Sequence, residues 1–511
     1  MVEYVTSFNK LIHSPRLFGC YNCHFEEVVD KVKRISHYLI FTIIIIFLLP
    51  SSQSSAQDTI ESKLHLYIER YIEEQRIPGA AVSIVENDKV IYSESFGKTG
   101  GNELEVTPDT PFLLGSISKS FTALAVLKLA EEGMIGLEDP IKKHLPSFTL
   151  KDKKAASKIT IKQLLTQTSG FSTYKGMTIS DLGSNEPDAI QTNIQLLSDT
   201  KLTETPGTKH QYSNANYSIL AALIEEVSGR SYADFMDKRV FKPLGMNHAA
   251  ADMERATDRG YQSGYQSWFG FPVKSKVPYD NGGAPYGYIA ASSNDMVHYL
   301  KALIDGNTKK LVNEELLNLA FSPHVKTGES RYYGFGWRIT DPDSDNEMIW
   351  HSGSTPDSRT DLFFYPESKW GAVILTNKEH ILEEAALIHF RNGIISIMNG
   401  EEPMDVDAYK PTVQIAITLL LLILAGNFIR ILLNYKSIKE IEYRRMNIAL
   451  GIIMVLLAII LIPLLIFFSS SPWHSITLFA ADIALLTVFL TVLLFVNGAL
   501  LLVTRRKMKN A

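Results

Sequence analysis

At 511 residues the chain exceeds one ordinary domain and implies a large globular unit with accessory parts. Its 46% apolar content averages two populations: a mixed segment from about 60 to 400, and a last hundred residues dominated by Leu, Ile, Val, Phe and Ala. A formal net charge of −5, with no long basic run in the mixed segment, argues for no nucleic-acid partner.

The two cysteines, Cys20 and Cys23, both precede the mixed segment, which therefore carries no disulfide framework. Cys20-Tyr21-Asn22-Cys23-His24 matches a haem-attachment pattern, but it lies ahead of the first hydrophobic stretch, where a cytoplasmic or discarded leader is expected. It is read as leader, and neither a cofactor nor a metal is expected. Lys31, Lys33 and Arg34 precede an apolar stretch over 38–49, which is short for a bilayer, and then Ser54-Ser55-Ala56. Residues 1–56 thus read as leader and signal peptide, with an uncleaved anchor as the alternative.

A helix is expected over 58–75, broken at Pro78-Gly79. Residues 80–86 and 89–95 alternate like two strands joined by Asn87-Asp88, a hairpin signal. At Ser116-Ile117-Ser118-Lys119 a helical run begins, with Phe121, Leu124, Ala125 and Leu129 on one face and Gly133 closing it. Residues three apart share a helix side, so the Lys119 amine can reach the Ser116 hydroxyl. A helix N-terminus favours developing negative charge, and a desolvated Lys can serve as the base a Ser nucleophile needs. An N-cap Ser with a surface Lys would leave the same trace.

Tyr212-Ser213-Asn214 stands before a helix over 215–227 that Gly229 ends. A Tyr near a cation can titrate low enough to relay a proton, and an Asn amide can orient a Lys and a substrate carbonyl. A core Tyr with an N-cap Asn is the plainer account. Between the strands that end at 95 and those that begin at 348 the pattern is mainly helical, with long loops such as 260–271. His351-Ser352-Gly353-Ser354 follows a short strand over 348–350, where an edge strand with a Gly admits a substrate backbone and can aim the Ser354 N–H at an oxyanion. A structural loop His is the alternative there. Strands over 361–365 and 372–376 and a helix over 383–398 follow. Strands from both ends of the segment imply an α/β (α+β) fold: an antiparallel sheet flanked by helices, with a helical subdomain inserted between.

The three motifs, S-x-x-K, Y-x-N and H-x-G, come in that order at roughly 95 and then 140 residues. With Gly115 to Thr122, Leu164 to Gly170, Pro243-Leu244-Gly245-Met246 and Tyr333-Gly334-Phe335-Gly336-Trp337, they resemble the serine β-lactamase-related hydrolases of the class C type, which include penicillin-binding proteins, D-aminopeptidases and esterases. The resemblance covers about 60–400 and implies a β-lactamase-like domain over 57–405. It further implies that Ser116 is acylated, that Lys119 and Tyr212 handle its proton, and that Asn214 positions substrate. The N–H groups of Ser116 and Ser354 would form the oxyanion hole, beside His351 and Gly353. His351 stands where many relatives carry Lys, which counts against a dedicated penicillinase or carboxypeptidase. Gln167 stands where His is frequent, and Asp357 where Gly is usual. Asp357 would either bring negative charge to the cleft, favouring an amino-bearing substrate, or be an exposed loop carboxylate.

Apolar stretches over 412–433, 446–468 and 476–503 are each long enough to cross a hydrocarbon core of about 30 Å, giving an all-α three-helix membrane region over 406–511. Lys436, Lys439, Arg444 and Arg445 lie in the first connection and Arg505, Arg506, Lys507 and Lys509 after the third span; 469–474 has no Lys or Arg. Positive-inside counting puts the C-terminus in the cytoplasm and the hydrolase-like domain outside. Asp482, inside the third stretch, is either functional or snorkels towards water. Serine hydrolases with three C-terminal spans are similar to the membrane peptidases of the colibactin-activating type, which remove an acyl-D-amino-acid cap from peptide prodrugs. A small peptide or acyl-amino-acid substrate is thereby expected, with a cell-wall penicillin-binding role or a non-catalytic sensor as alternatives.

Overall fold

The computed structural model describes residues 59–433 and 444–503. The expected leader, the Cys20–Cys23 motif and most of the Lys and Arg residues used for orientation lie outside them.

Helix α1 (Ile60–Glu74) leads into a hairpin of β1 (Gly79–Glu86) and β2 (Lys89–Gly97), turned through Asn87 at a φ of 53°. Every residue of β1 but the last is buried. Ala80, Val82 and Ile84 pack on one side of the sheet, and Ala81 and Val85 on the other. A strand covered on both faces reads as a continuous apolar run, so the expected alternation does not appear.

The buried helix α2 (Ser118–Glu131) and α3 (Asn214–Ser228) form the centre of the helical insertion, and α4 (Ser293–Ile304) lies against the sheet. α2 buries nearly its whole circumference, not the single face expected from its sequence. That is how a helix at the middle of a large core behaves.

The chain then returns to the sheet through β3 (Val325–Gly328), β4 (Arg331–Tyr333), β5 (Arg338–Thr340), β6 (Met348–Thr355), β7 (Ser358–Tyr365) and β8 (Trp370–Thr376). The antiparallel order is β2-β1-β8-β7-β6-β5-β4-β3, so strands from both ends of the segment meet at β1 and β8, in register from Ala80 opposite Thr376 to Glu86 opposite Trp370. Helices α1 and α5 (Glu384–Met398) cover one face of the sheet, where Tyr71 stacks on Phe390 at 3.8 Å between ring centroids.

Two expectations fail locally. Strand β6 does not stop at Trp350 but continues to Thr355, carrying His351 to Ser354 inside the strand. Its partner β5 pairs only with Met348 to Trp350, so His351 onward has one edge unpaired by any described strand. The expected loop over 260–271 also contains a strand, Tyr265–Trp268, which pairs with Phe271–Lys274 and, in parallel, with Lys378–Glu379.

Three helices long and apolar enough to cross a membrane follow: α6 (Thr412–Leu433), α7 (Arg444–Ser469) and, after the short helix α8 (Trp473–Phe479), α9 (Ala481–Val503). The third stretch is thus two helices, broken at Ala480. Gly498 meets the Gly451 region closely enough that an added Cβ would lie 2.8 Å from the Gly451 carbonyl oxygen, and Asn427 donates to Asn497 at 2.9 Å. Small residues and amide pairs of this kind bind apolar helices together.

Asp482 neither faces the apolar bulk nor snorkels. In the first turn of α9 it is buried and accepts from the Phe269 N–H (2.9 Å), His380 Nε2 (2.8 Å) and Gln414 Nε2 (3.2 Å). Gln266 adds a bond to the Leu478 carbonyl at 2.7 Å, and His474 of α8 lies 3.2 Å from the Ser180 carbonyl. The apolar helices are therefore docked on the sheet domain by polar contacts.

Candidate active site

Ser116 lies in a tight 3-10 turn, Gly115–Ile117, that runs directly into α2. The turn is pressed against β6: a Cβ on Gly115, whose φ is +53°, would fall 2.1 Å from the Ser354 nitrogen. A Cβ on Gly353 would fall 1.9 Å from the Leu114 carbonyl oxygen. Glycine at both positions lets the backbones of 114–116 and 353–354 approach, bringing the Ser354 nitrogen beside the Ser116 turn. The two expected oxyanion donors are thus neighbours.

One helical turn on, Lys119 is fully buried, its Nζ 3.0 Å from Ser116 Oγ and 2.9 Å from the Tyr286 carbonyl. The rings of Tyr212, Tyr286 and Tyr217 surround it at 4.8, 5.7 and 5.9 Å. Burial holds its pKa well below the usual lysine value, and the Arg338 charge pushes the same way against Asp181. Desolvation thus favours the neutral amine, the form able to accept a hydroxyl proton.

Tyr212 lies just before α3, and its backbone is set by Gln167. The Gln167 carbonyl receives the Gln211 N–H at 2.8 Å, and its side-chain Oε1 receives the Ser213 N–H at 2.9 Å and the Asn216 amide. Gln167 itself holds a left-handed φ of 62° and is wholly buried. The expected low titration of Tyr212 does not hold. Desolvation pushes its phenol up to about 12, against the Arg338 charge and the Ser116 hydroxyl, which favour the ionised form. Tyr212 is therefore a neutral phenol whose oxygen, near Ser116, has no well-formed hydrogen bond.

Asn214 opens α3 rather than capping it; its Nδ2 donates to Ser180 Oγ at 3.0 Å and its Oδ1 has no partner among the described residues. His351 is buried, with Nδ1 2.6 Å from the Ser352 carbonyl, which makes Nδ1 the protonated nitrogen. Its Nε2 has no partner among the described residues. Burial, then Arg338 and Lys119, hold the ring well below the usual histidine pKa, so it is neutral. Ser354 Oγ likewise lacks a partner among the described residues. Buried polar atoms are almost always satisfied, so orphans on Tyr212, Asn214 and His351 mark a surface shaped for something else; the Ser354 hydroxyl lies on the other face of β6, towards Glu379.

Ser116, Lys119, Tyr212, His351, Gly353 and the Ser354 nitrogen are thus brought together, and Asn214 follows Tyr212 at the start of α3. Asp357 does not join them, nor is it exposed: buried at the end of the sheet, it accepts from the Gly264 N–H at 3.1 Å, and burial raises its pKa. Sequence reasoning missed Arg338 and Asp181. Asp181 adopts a φ of 59°, accepts from Tyr288 at 2.8 Å, and is pushed up to about 6 by burial. Neither lies in a motif with a chemical signature; the one available signal for Arg338 is its place directly after Tyr333 to Trp337. Among the described residues no cluster of three or more His, Cys, Asp or Glu side chains could hold a metal ion.

The beta-lactamase family model matches residues 64–392. The chain belongs to that family. Its members are serine hydrolases. Protein flp of Staphylococcus aureus (strain MRSA252) is 29% identical over 320 residues, covering 62% of this chain and 63% of that protein. The chain therefore matches less than two thirds of that relative's length. Penicillin-binding protein 4* of Bacillus subtilis (strain 168) is 29% identical over 319 residues, 59% of this chain and 68% of the relative. The octameric penicillin-binding protein homologue from Pyrococcus abyssi superposes with a TM-score of 0.59 at 27% identity, covering 67% of this chain and 78% of that one.

Proposed function

We propose that the protein is a membrane-anchored serine hydrolase that cleaves amide or ester bonds, in small acyl-amino-acid or D-residue peptide substrates, through an acyl-enzyme on Ser116. The observation that carries this reading is Ser116 Oγ at 3.0 Å from a wholly buried Lys119, whose burial disfavours the ammonium form. A buried amine with nothing to do would be costly and inert; beside a hydroxyl on a cleft it is a general base.

The steps follow from those protonation states. Lys119 takes the Ser116 proton as Oγ bonds the substrate carbonyl carbon, and the N–H groups of Ser116 and Ser354 receive the oxyanion. As the carbon–nitrogen or carbon–oxygen bond breaks, Tyr212, a neutral phenol, delivers a proton to the leaving atom and is reprotonated from Lys119. Water then attacks the ester carbonyl, losing its proton to the Tyr212–Lys119 pair, and Ser116 departs with a proton. Asn214, with a free Oδ1, orients the substrate amide.

The proposed arrangement is a leader over 1–56, the hydrolase domain over 57–405 and a membrane region over 406–511, with the cleft outside and the C-terminus in the cytoplasm. The charge distribution around the apolar helices supports that orientation. A second reading, a penicillin-binding enzyme acting on cell-wall peptides, is favoured by the names of the Bacillus subtilis and Pyrococcus abyssi relatives.

Intact mass after exposure to a fluorophosphonate and, separately, a penicillin, beside Ser116→Ala, tests both. A fluorophosphonate adduct absent in the variant is expected. An added penicilloyl group would favour the second reading, and no adduct from either reagent would refute serine catalysis.

A further inference from the structure

We propose that the hydrolase domain makes a membrane contact of its own, with Phe271, Val273, Ile381 and Leu382 seated in the lipid leaflet at which α6 and α9 begin. The proposal rests on the membrane-anchored part of the function proposed above and deepens it.

The four side chains are 57, 45, 44 and 42% exposed. Single exposed apolar residues are ordinary on any protein surface, so their placement decides the matter. In the hairpin of Tyr265–Trp268 and Phe271–Lys274, Tyr265 and Ser267 are buried on one face. Trp268 lies opposite Phe271 and Gln266 opposite Val273, and residues directly opposite one another share a face of the ribbon. On that second face Gln266 donates to the Leu478 carbonyl of α8 at 2.7 Å. The face carrying Phe271 and Val273 is therefore the one turned towards the apolar helices.

The hairpin tip meets the outer ends of two of them. The Phe269 N–H binds Asp482 in the first turn of α9, and a Cβ on Gly270 would lie 3.1 Å from the ring of Tyr409, shortly before α6. His380 reaches the same carboxylate, and Ile381 and Leu382 follow it directly.

Helix length sets the depth of this junction. The spans of α6 and α9 each have 22 residues. At about 1.5 Å per residue that is about 33 Å, close to a hydrocarbon core of about 30 Å. Thr412 and Ala481 thus stand at the edge of the core, and the hairpin tip stands level with them. Apolar side chains exposed there meet lipid, where such faces sink about 5–10 Å into the headgroup and acyl boundary. The surrounding polar groups suit that level. The exposed Arg76 guanidinium lies 4.2 Å from the centre of the Phe271 ring, and Lys410 is exposed beside Tyr409. Aromatic rings and cations of this kind gather where headgroups are. Phe271–Lys274 is also an edge strand, with no described strand on its outer side, and an apolar edge left in water invites aggregation.

The test uses the full chain with Cys20→Ser and Cys23→Ser, so that each introduced thiol is the only one, in vesicles of phosphatidylcholine and phosphatidylglycerol. A bimane fluorophore is attached through Val273→Cys or Leu382→Cys, which leaves Phe271 and Ile381 in place. Val90→Cys is the domain control: Val90 pairs near the Glu86 end of β1, whereas His380 follows the strand that meets the Ala80 end. Ile423→Cys, exposed in the middle of α6, is the bilayer control. Melting curves beside the parent confirm that each labelled variant is folded, and the positions at 273 and 382 serve as independent probes. Lipids spin-labelled near the headgroup should quench the probes at 273, 382 and 423 and spare the one at 90, while aqueous iodide should quench only the one at 90. Quenching at 273 and 382 by iodide and not by lipid would overturn the contact. Protection there from both quenchers would overturn it as well, by showing that protein, such as a second copy of the chain, covers the surface. Absence of lipid quenching at 423 would instead remove the membrane reading on which the contact rests.

Discussion

The contact between Gly353 and the Ser116 turn can be tested by adding one methyl group. In Gly353→Ala the new Cβ would fall 1.9 Å from the Leu114 carbonyl oxygen, 2.5 Å from Thr360 Oγ1 and 2.9 Å from Gly115 Cα. None of these neighbours is a flexible chain end: the Leu114 oxygen already receives Thr360 Oγ1 at 2.7 Å, and Thr360 is buried in β7. To restore ordinary contact, β6 must withdraw from the turn by about 1 Å, taking the Ser354 N–H with it. A misplacement of that size costs about 100-fold, and loss of one oxyanion donor about 100- to 1000-fold. The expected result is a fluorophosphonate labelling rate about 100-fold slower, with a stability loss of about 1–3 kcal/mol from overpacking. Rates measured well below the variant's melting temperature separate the two effects. A folded Gly353→Ala that labels within about 3-fold of wild type would refute the claim that this approach builds the oxyanion hole.

The labelling rate should rise with pH through an inflection well below the usual lysine value, because Lys119 must be neutral to act, and Tyr212, held at about 12, should impose no alkaline fall below pH 10. An inflection at the ordinary lysine value would contradict the buried base. The same burial costs stability: below its ordinary pKa the unfolded chain binds a proton at Lys119 that the folded chain does not. Stability from this group therefore grows as pH rises, and Lys119→Met should raise the melting temperature more at pH 7 than at pH 10 while abolishing labelling. Asp482→Leu leaves the Phe269 N–H and His380 without their acceptor, while Gln414 keeps Tyr409; at about 1–3 kcal/mol for each orphaned donor, docking should weaken by about 2–6 kcal/mol. Faster amide exchange at Phe269 to Phe271 would show it, and unchanged exchange would refute it. Gln167→Leu leaves the Ser213 N–H and Asn216 amide unpaired, so a loss of about 2–6 kcal/mol and slower turnover are expected, checked by thermal melting and initial rates.

What could be read from the residues alone divides along physical lines. Ser116, Lys119, Tyr212 and Asn214 were legible because each pairs a chemical group with a local backbone context, a helix start, that leaves its own sequence trace. The hairpin at Asn87-Asp88 was legible for the same reason. The length of β6 was not, because His-Ser-Gly-Ser has low strand propensity and is held extended by its partner β7, in register from Ile349 opposite Phe364 to Thr355 opposite Ser358. The titration of Tyr212 was misjudged because a pKa depends on desolvation, a property of everything packed around the phenol, and here that outweighs the nearby cation.

Asp482 shows the same limit from the other side. A carboxylate seven residues into an apolar stretch of 476–503 reads as an intramembrane charge, and only the break at Ala480 moves it to the first turn of a helix. There it meets a backbone N–H from the hairpin at Phe269 and a ring from His380, both on loops of the sheet domain. The break also projects His474 to the Ser180 carbonyl, while the hydroxyl of Ser180 receives Asn214. A tether would need none of these bonds. Helices joined to the domain through a buried carboxylate, and to the backbone of the residue that holds Asn214, hold the domain in one orientation relative to themselves.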